Sequence, residues 1–157
     1  TRKYYLYHHA LMNVQKPEGK NTTLTTTDGI AARLGVSHGL IVQEVGWDED
    51  CDSTLSEAIE DAIGSELLDE DSYEICDIVL LWWRSDDGDL VDGLVDAVRP
   101  LADTGRVWLL TPGNGKSNAL APGDIAESAQ LAGMVQTKAE RFGDWQGSCL
   151  VRRGNKQ

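Results

Sequence analysis

The chain has 157 residues, 41% of them hydrophobic, and a formal net charge of −12. That length fits one domain able to bury a continuous core, and no stretch approaches the roughly 20 apolar residues that cross a bilayer. Three cysteines, Cys51, Cys76 and Cys149, form no CxxC pair. Together with an N-terminus that lacks signal-peptide order, this leads us to expect free thiols in a cytoplasmic protein.

The charge is unevenly placed. Glu44 to Asp103 holds 20 acidic and two basic residues, a balance of −18, while the remainder carries +6. A field of that sign repels nucleic-acid phosphates and draws in cationic partners. Direct nucleic-acid binding is therefore not expected. The carboxylates either attract a basic protein surface or merely solvate loops and helix faces.

Residues 1–27 are rich in Thr, Tyr, Lys and Asn without a sustained period, and are expected to form a flexible arm. An ordered domain is expected over residues 28–153, with a short tail at 154–157. Asp28 is a plausible cap for a turn through Ile30 and Leu34 that stops at Gly35, and a first strand is expected at Leu40 to Gly46. Apolar residues at 55, 58, 59, 62 and 63 then trace one stripe of an amphipathic helix. Asp52, Ser53 and Thr54 are its candidate caps, Thr54 and Glu57 match capping-box spacing, and Gly64 stands where a left-handed C-terminal residue belongs. Glu66 to Leu68 is a candidate brief strand before the acidic turn Asp69-Glu70-Asp71.

Ile78 to Trp83 and Val107 to Leu110 are nearly unbroken apolar runs, the pattern of strands buried on both faces. Between them Leu90, Val91, Leu94, Val95, Val98 and Leu101 form a helical stripe, closed by Thr104-Gly105. Asp86, Asp87 and Asp89 lie at its N-terminal end, where backbone N–H groups favour negative charge. Ala121-Pro122 should open a further helix carrying Ile125, Ala129 and Ala132 inward, ended by Gly133. Met134 to Arg141 and Gly147 to Arg153 are short and close enough to pair as an antiparallel hairpin. The expected fold is thus a single open, mostly parallel, Rossmann-like α/β sheet flanked by helices and ending in that hairpin.

A parallel sheet that finishes this way resembles the class I methyltransferases. In that family an acidic residue ending the second strand holds the cofactor ribose, and Asp69 stands 23 residues beyond Gly46, about where it would be. The runs GLIVQEVGWDEDCD, EAIEDAIGSELLDED, DIVLLWWRSDDGDLVDGLVDA and VWLLTP are similar to the small actinobacterial domain-of-unknown-function family 3052, over roughly Ala31 to Val151. That resemblance implies a cytoplasmic protein and brings no catalytic residues with it.

Cofactor chemistry is poorly served after the first strand. Nucleotide sites need several glycines there for close backbone approach, and this chain offers Gly46 followed by Trp47-Asp48-Glu49-Asp50. At the roughly 4–6 Å typical of a site, each like-charge contact costs on the order of 1 kcal/mol or more, so NAD, FAD and ATP are disfavoured. S-adenosylmethionine carries a sulfonium cation and no phosphate, so the acidic loop does not exclude it. Asp48, Asp50 and Asp52 alternate like a calcium loop, but the sixth position is not Gly and the twelfth is Ile59. Zinc lacks its Cys and His cluster, and no GxSxG elbow occurs. Cys51 should have a thiol pKa raised by neighbouring carboxylates, which argues against a reactive thiolate or a thiol sensor.

Trp82 and Trp83 are adjacent on a strand and must point to opposite faces. Each can simply fill a core. Yet Trp83 and Arg84 end the strand beside Trp47 and the acidic turns, where Thr111 and Pro112 also emerge, and Trp and Arg are interface-anchoring residue types. The expected function is a non-enzymatic adaptor or regulatory module binding a basic protein surface. Its crevice would use Gly46, Trp47, Asp48, Glu49, Asp50, Asp69, Trp83, Arg84, Asp86, Asp87 and Thr111, with no cofactor and no membrane contact. Self-association by a shared apolar edge is a variant. The alternative is an enzyme binding S-adenosylmethionine or a similar nucleoside through Gly46, Asp69 and Trp83.

Overall fold

The two apolar runs lie side by side as parallel strands, and the rest of the chain is arranged to cover them. The computed structural model describes residues 29–154. The expected arm at 1–27, the cap at Asp28 and tail residues 155–157 lie outside the described residues. The elements are α1 (Gly29–Leu34), β1 (Val42–Val45), α2 (Ser53–Ile63), β2 (Cys76–Trp82), α3 (Leu90–Val98), β3 (Leu101–Pro112), α4 (Pro122–Leu131), β4 (Met134–Phe142) and β5 (Trp145–Arg152). They build one five-stranded sheet in the order β1-β2-β3-β5-β4. β1, β2 and β3 are parallel, with Val42 opposite Ile78 and Val79 opposite Val107. β5 runs antiparallel to both β3 and β4.

Strand alternation sorts the apolar residues into two cores. On one face Leu34, Leu55, Ile59 and Ile63 of α1 and α2 pack on Ile78, Leu80, Trp82, Trp108 and Leu110. On the other, Leu90, Leu94 and Ala97 of α3 and Ile125 and Ala129 of α4 pack on Val79, Leu81, Val107, Leu109 and Leu150. Trp82 joins the first core and Trp83 the second, as their adjacency requires.

Four expectations need correction. α2 is capped by Asp52, whose carboxylate accepts from Thr54 N at 3.0 Å, and not by a Thr54–Glu57 box; Glu57 is buried instead. Gly64 does close α2 in the left-handed region. The second strand at Glu66–Leu68 shrinks to a single parallel bridge between Leu68 and Gln43. α3 ends at Val98 instead of running through Leu101, because Pro100 has no N–H to extend a helix, and its carbonyl accepts from Cys76 N at 2.8 Å in the sheet. Leu101 therefore starts β3, and Gly105 lies in a register shift within that strand, its Cα too close to Asp77 O for a side chain. Finally, Val95 of the expected apolar stripe is exposed, and Ala97 is buried in its stead.

Candidate functional site

In open α/β sheets ligands collect outside the carboxyl ends of the strands, where the strand order reverses. Here that point lies between β1 and β2, because the chain passes from β1 outward to Leu68 and returns to β2 on the other side. Gly46 turns the chain out of β1 with φ +83°, and a Cβ there would stand 2.5 Å from Trp82 O. Only glycine meets both demands. The close approach that it permits is to the end of β2 itself.

The loop that follows is largely closed on itself. Cys51 N donates to Asp48 O at 3.0 Å, Asp48 N to Cys51 Sγ at 3.2 Å, and Glu49 N to Asp48 Oδ1 at 2.7 Å. Trp47 is half-buried against the first core, while Asp48 and Glu49 stay at the solvent rim.

Arg84, just past β2, fills the crevice. It is only 7% exposed. Its Nε and Nη2 donate to the two carboxylate oxygens of Asp50 at 3.1 and 2.6 Å, and Nη1 donates to Gly46 O at 2.9 Å and Asp87 Oδ2 at 3.2 Å. Nη2 also reaches Cys51 Sγ at 3.1 Å, and the guanidinium carbon lies 5.5 Å from the Trp145 ring centroid. The bidentate fork is geometry that lysine could not reproduce. Asp87 also accepts from Arg84 N at 2.9 Å, closing the turn.

The electrostatics agree with the geometry. The hydrogen bonds from Arg84 hold the Asp50 carboxyl below its ordinary range. Burial opposes the charge on Arg84, but the Asp50 and Asp87 carboxylates outweigh it and hold the guanidinium firmly protonated. Burial pushes the Cys51 thiol up to about 12, and the nearby carboxylates add only a smaller push. The direction matches expectation, but desolvation is the main cause. Burial likewise raises Cys76 to about 11.

Other expected site residues are placed differently. Arg84 is an internal tie and not an exposed anchor. Asp69 is exposed, and its carboxylate accepts from Asp71 N at 3.0 Å, shaping its own turn. Thr111 is buried in β3 with its hydroxyl turned to Gln146 O. Asp86 projects into solvent at the loop tip. Trp145 belongs to the crevice although it was not anticipated. Its ring meets Trp82 edge to face at 4.8 Å, placed there by the pairing of Trp145 with Pro112 of β3 and Phe142 of β4.

Trp83 and Asp87 border a different feature. On the second face a groove of about 710 Å³ runs between α3 and residues 70–75. Val45 and Leu81 are at its floor and Trp83 at its wall, with Tyr73 and Ile75 on one rim. Glu70, Asp87, Asp89, Asp92 and Asp96 surround it, against one cation, Arg99. Asp89 also caps α3 by accepting from Val91 N at 3.0 Å, so the capping role read from the sequence holds for it. Asp92, Asp96, Tyr73 and Ile75 were not anticipated, although Asp89, Asp92 and Asp96 recur at i, i+3 and i+7, the signature of one helix face.

Groups of three or more His, Cys, Asp or Glu side chains placed to hold a metal ion are absent among the described residues. No helix among them is long and apolar enough to cross a membrane. At the switch point the Arg84 guanidinium and the Asp50 and Asp87 carboxylates are engaged with one another.

Solved structures with the same fold include several methyltransferases. The chain superposes on the pyocyanin biosynthetic protein PhzM with TM-score 0.62 at 13% identity, covering 81% of this chain and 54% of that one. It is similar also to the mitomycin 7-O-methyltransferase MmcR, with TM-score 0.57 at 14% identity, covering 83% of this chain and 54% of that one. The O-methyltransferase NcsB1 from neocarzinostatin biosynthesis, solved in complex with S-adenosylmethionine, gives TM-score 0.58 at 12% identity, with 83% and 54% covered. The chain spans about half the length of these three structures, and at such identities they show the fold alone. Sequence relatives are nearer: the uncharacterized protein Rv2239c of Mycobacterium tuberculosis (strain ATCC 25618 / H37Rv) is 46% identical over 137 residues, 86% of this chain and 87% of the relative. The uncharacterized protein Mb2263c of Mycobacterium bovis (strain ATCC BAA-935 / AF2122/97) matches to the same extent. The model of the family described as protein of unknown function, DUF3052, matches residues 31–154, and the chain belongs to that family.

Proposed function

We propose that this chain is a cytoplasmic, non-enzymatic binding module that engages a basic surface of a partner protein through its acidic groove and strand-end loops. One observation carries it: the crevice where this fold class takes ligands is filled by the Arg84 ion pairs, while the adjacent groove is open and ringed by carboxylates. Exposed charge of one sign steers a cationic partner and is screened within about 10 Å at 0.1 M salt. Capture from native lysate at low salt should therefore recover a stoichiometric partner that is released as salt rises. Recovery of none, or of a partner indifferent to salt, overturns the proposal.

Fold likeness favours a second reading, an enzyme that binds S-adenosylmethionine or a related nucleoside with Gly46, Asp69 and Trp83 about the adenosine. A ligand at 100 times its Kd stabilises by about 2.7 kcal/mol. A thermal shift of that order with millimolar S-adenosylmethionine would displace the adaptor reading. No shift retires the enzyme.

A further inference from the structure

We infer that the groove on the second face seats a basic amphipathic helix supplied by the partner protein, an inference that rests on the adaptor reading and gives the partner a shape. Both faces of a mainly parallel sheet are ordinarily covered by helices. Here the first face is covered by α1 and α2, whereas on the second α3 and α4 leave the β1 end open. The cause lies in the chain path. Only residues 69–75 separate the Leu68 bridge from β2, and a crossover helix needs a dozen residues or more. Among the described residues no helix completes this layer, and the groove lies in its place.

Its chemistry suits a helix with one apolar and one cationic face. Val45, Leu81 and Trp83 offer an apolar floor and wall. Tyr73, 98% exposed, and Ile75, 62% exposed, leave large side chains in water along the rim. On the opposite wall Asp89, Asp92 and Asp96 stand at i, i+3 and i+7. At 1.5 Å rise per residue their separations are about 4.5 and 6 Å, the same repeat at which a facing helix presents its own side chains. An extended segment repeats every ~6.8 Å on one face and falls out of step. It would also lack backbone partners, since the outer edge of β1 is already bonded through Glu44 N to Leu68 O and Leu68 N to Val42 O, both at 2.9 Å. Gly93 keeps the groove open: a Cβ there would stand 2.6 Å from Trp83 Cζ3, so the missing side chain lets the indole lie against α3.

The test uses the full chain and three labelled 14-residue probes, read by fluorescence anisotropy and circular dichroism. One is a Leu/Lys peptide with helical periodicity, one has the same composition in strict alternation, and one is oligolysine. The helical peptide should bind about tenfold more tightly than either other and gain helicity on binding. D92K/D96K should weaken it by about tenfold or more, and I75S by about threefold, with far-UV spectra of both variants unchanged. If the alternating peptide or oligolysine binds as well, the helix inference falls and the acidic-surface reading stands. If no probe binds while lysate capture still yields a salt-sensitive partner, the inference again falls alone. Binding indifferent to D92K/D96K removes the groove from both.

Discussion

The strand-end crevice and the second-face groove are built from the same acidic segment, yet they are opposites. In the crevice, Asp50 and Asp87 receive a buried guanidinium from their own chain, and every direction in which Arg84 can donate is used. In the groove, Asp92 and Asp96 share one exposed pair, Arg99 to Asp96 at 3.5 Å. A carboxylate cluster is thus no functional signal in itself. What distinguishes the two is whether the fold supplies the countercharge: it does so fully in the crevice and, in the groove, with Arg99 alone among the lining residues.

On the proposed reading the crevice is a stability element and the groove a binding element, and each can be broken separately. The largest loss is expected for Arg84→Met. It strands Gly46 O and takes the guanidinium from Asp50 and Asp87, and removing one partner of such a network costs about 3 kcal/mol, towards the low end because both carboxylates are partly solvated. Urea denaturation should show it, and an unchanged midpoint would mean that the ties are ornamental. Gly46→Ala should follow at about 2 kcal/mol, since it combines a left-handed φ with a backbone contact that cannot relax.

Asp50→Asn is smaller and depends on pH. The folded-state pKa of Asp50 lies below its ordinary value of 3.8. Its stabilisation is therefore fully present above that value and is lost as pH falls through the folded pKa. The gap between wild type and D50N should stay constant from about pH 5 to 8 and close only in more acidic solution. A gap that closes near neutrality would point to a different group. Least affected should be D92K/D96K, expected within about 0.5 kcal/mol of wild type because both side chains are solvated. If it destabilises as R84M does, the groove is structural after all.

Cysteine reactivity offers a further check on the crevice. With its thiol pushed up to about 12, Cys51 should react more slowly with a disulfide reagent at pH 8 than in the urea-unfolded chain. Arg84→Met removes a cation that lowers this thiol's pKa, so the native rate should fall further below the unfolded one.

Much of the architecture was legible because it rests on local rules. The unbroken apolar runs of β2 and β3, the stripe of α2 ended by Gly64, Pro122 at the first turn of α4 and the hairpin of β4 and β5 each follow from residue spacing alone. So did the division of Trp82 and Trp83 between faces, which needs only a period of two. What could not be read locally is where Arg84 and Leu101 would go. Leu101 suits the apolar stripe of a helix and the interior of a strand equally, and pairing with Cys76 chose between them. Arg84 looks like a surface anchor until Gly46 and Asp50, more than 30 positions earlier, are folded across it. Composition and periodicity dictate which residues leave water and in what element. Which charges meet each other, and which stay at the surface, depends on contacts between distant segments, and those exist only once the sheet has formed.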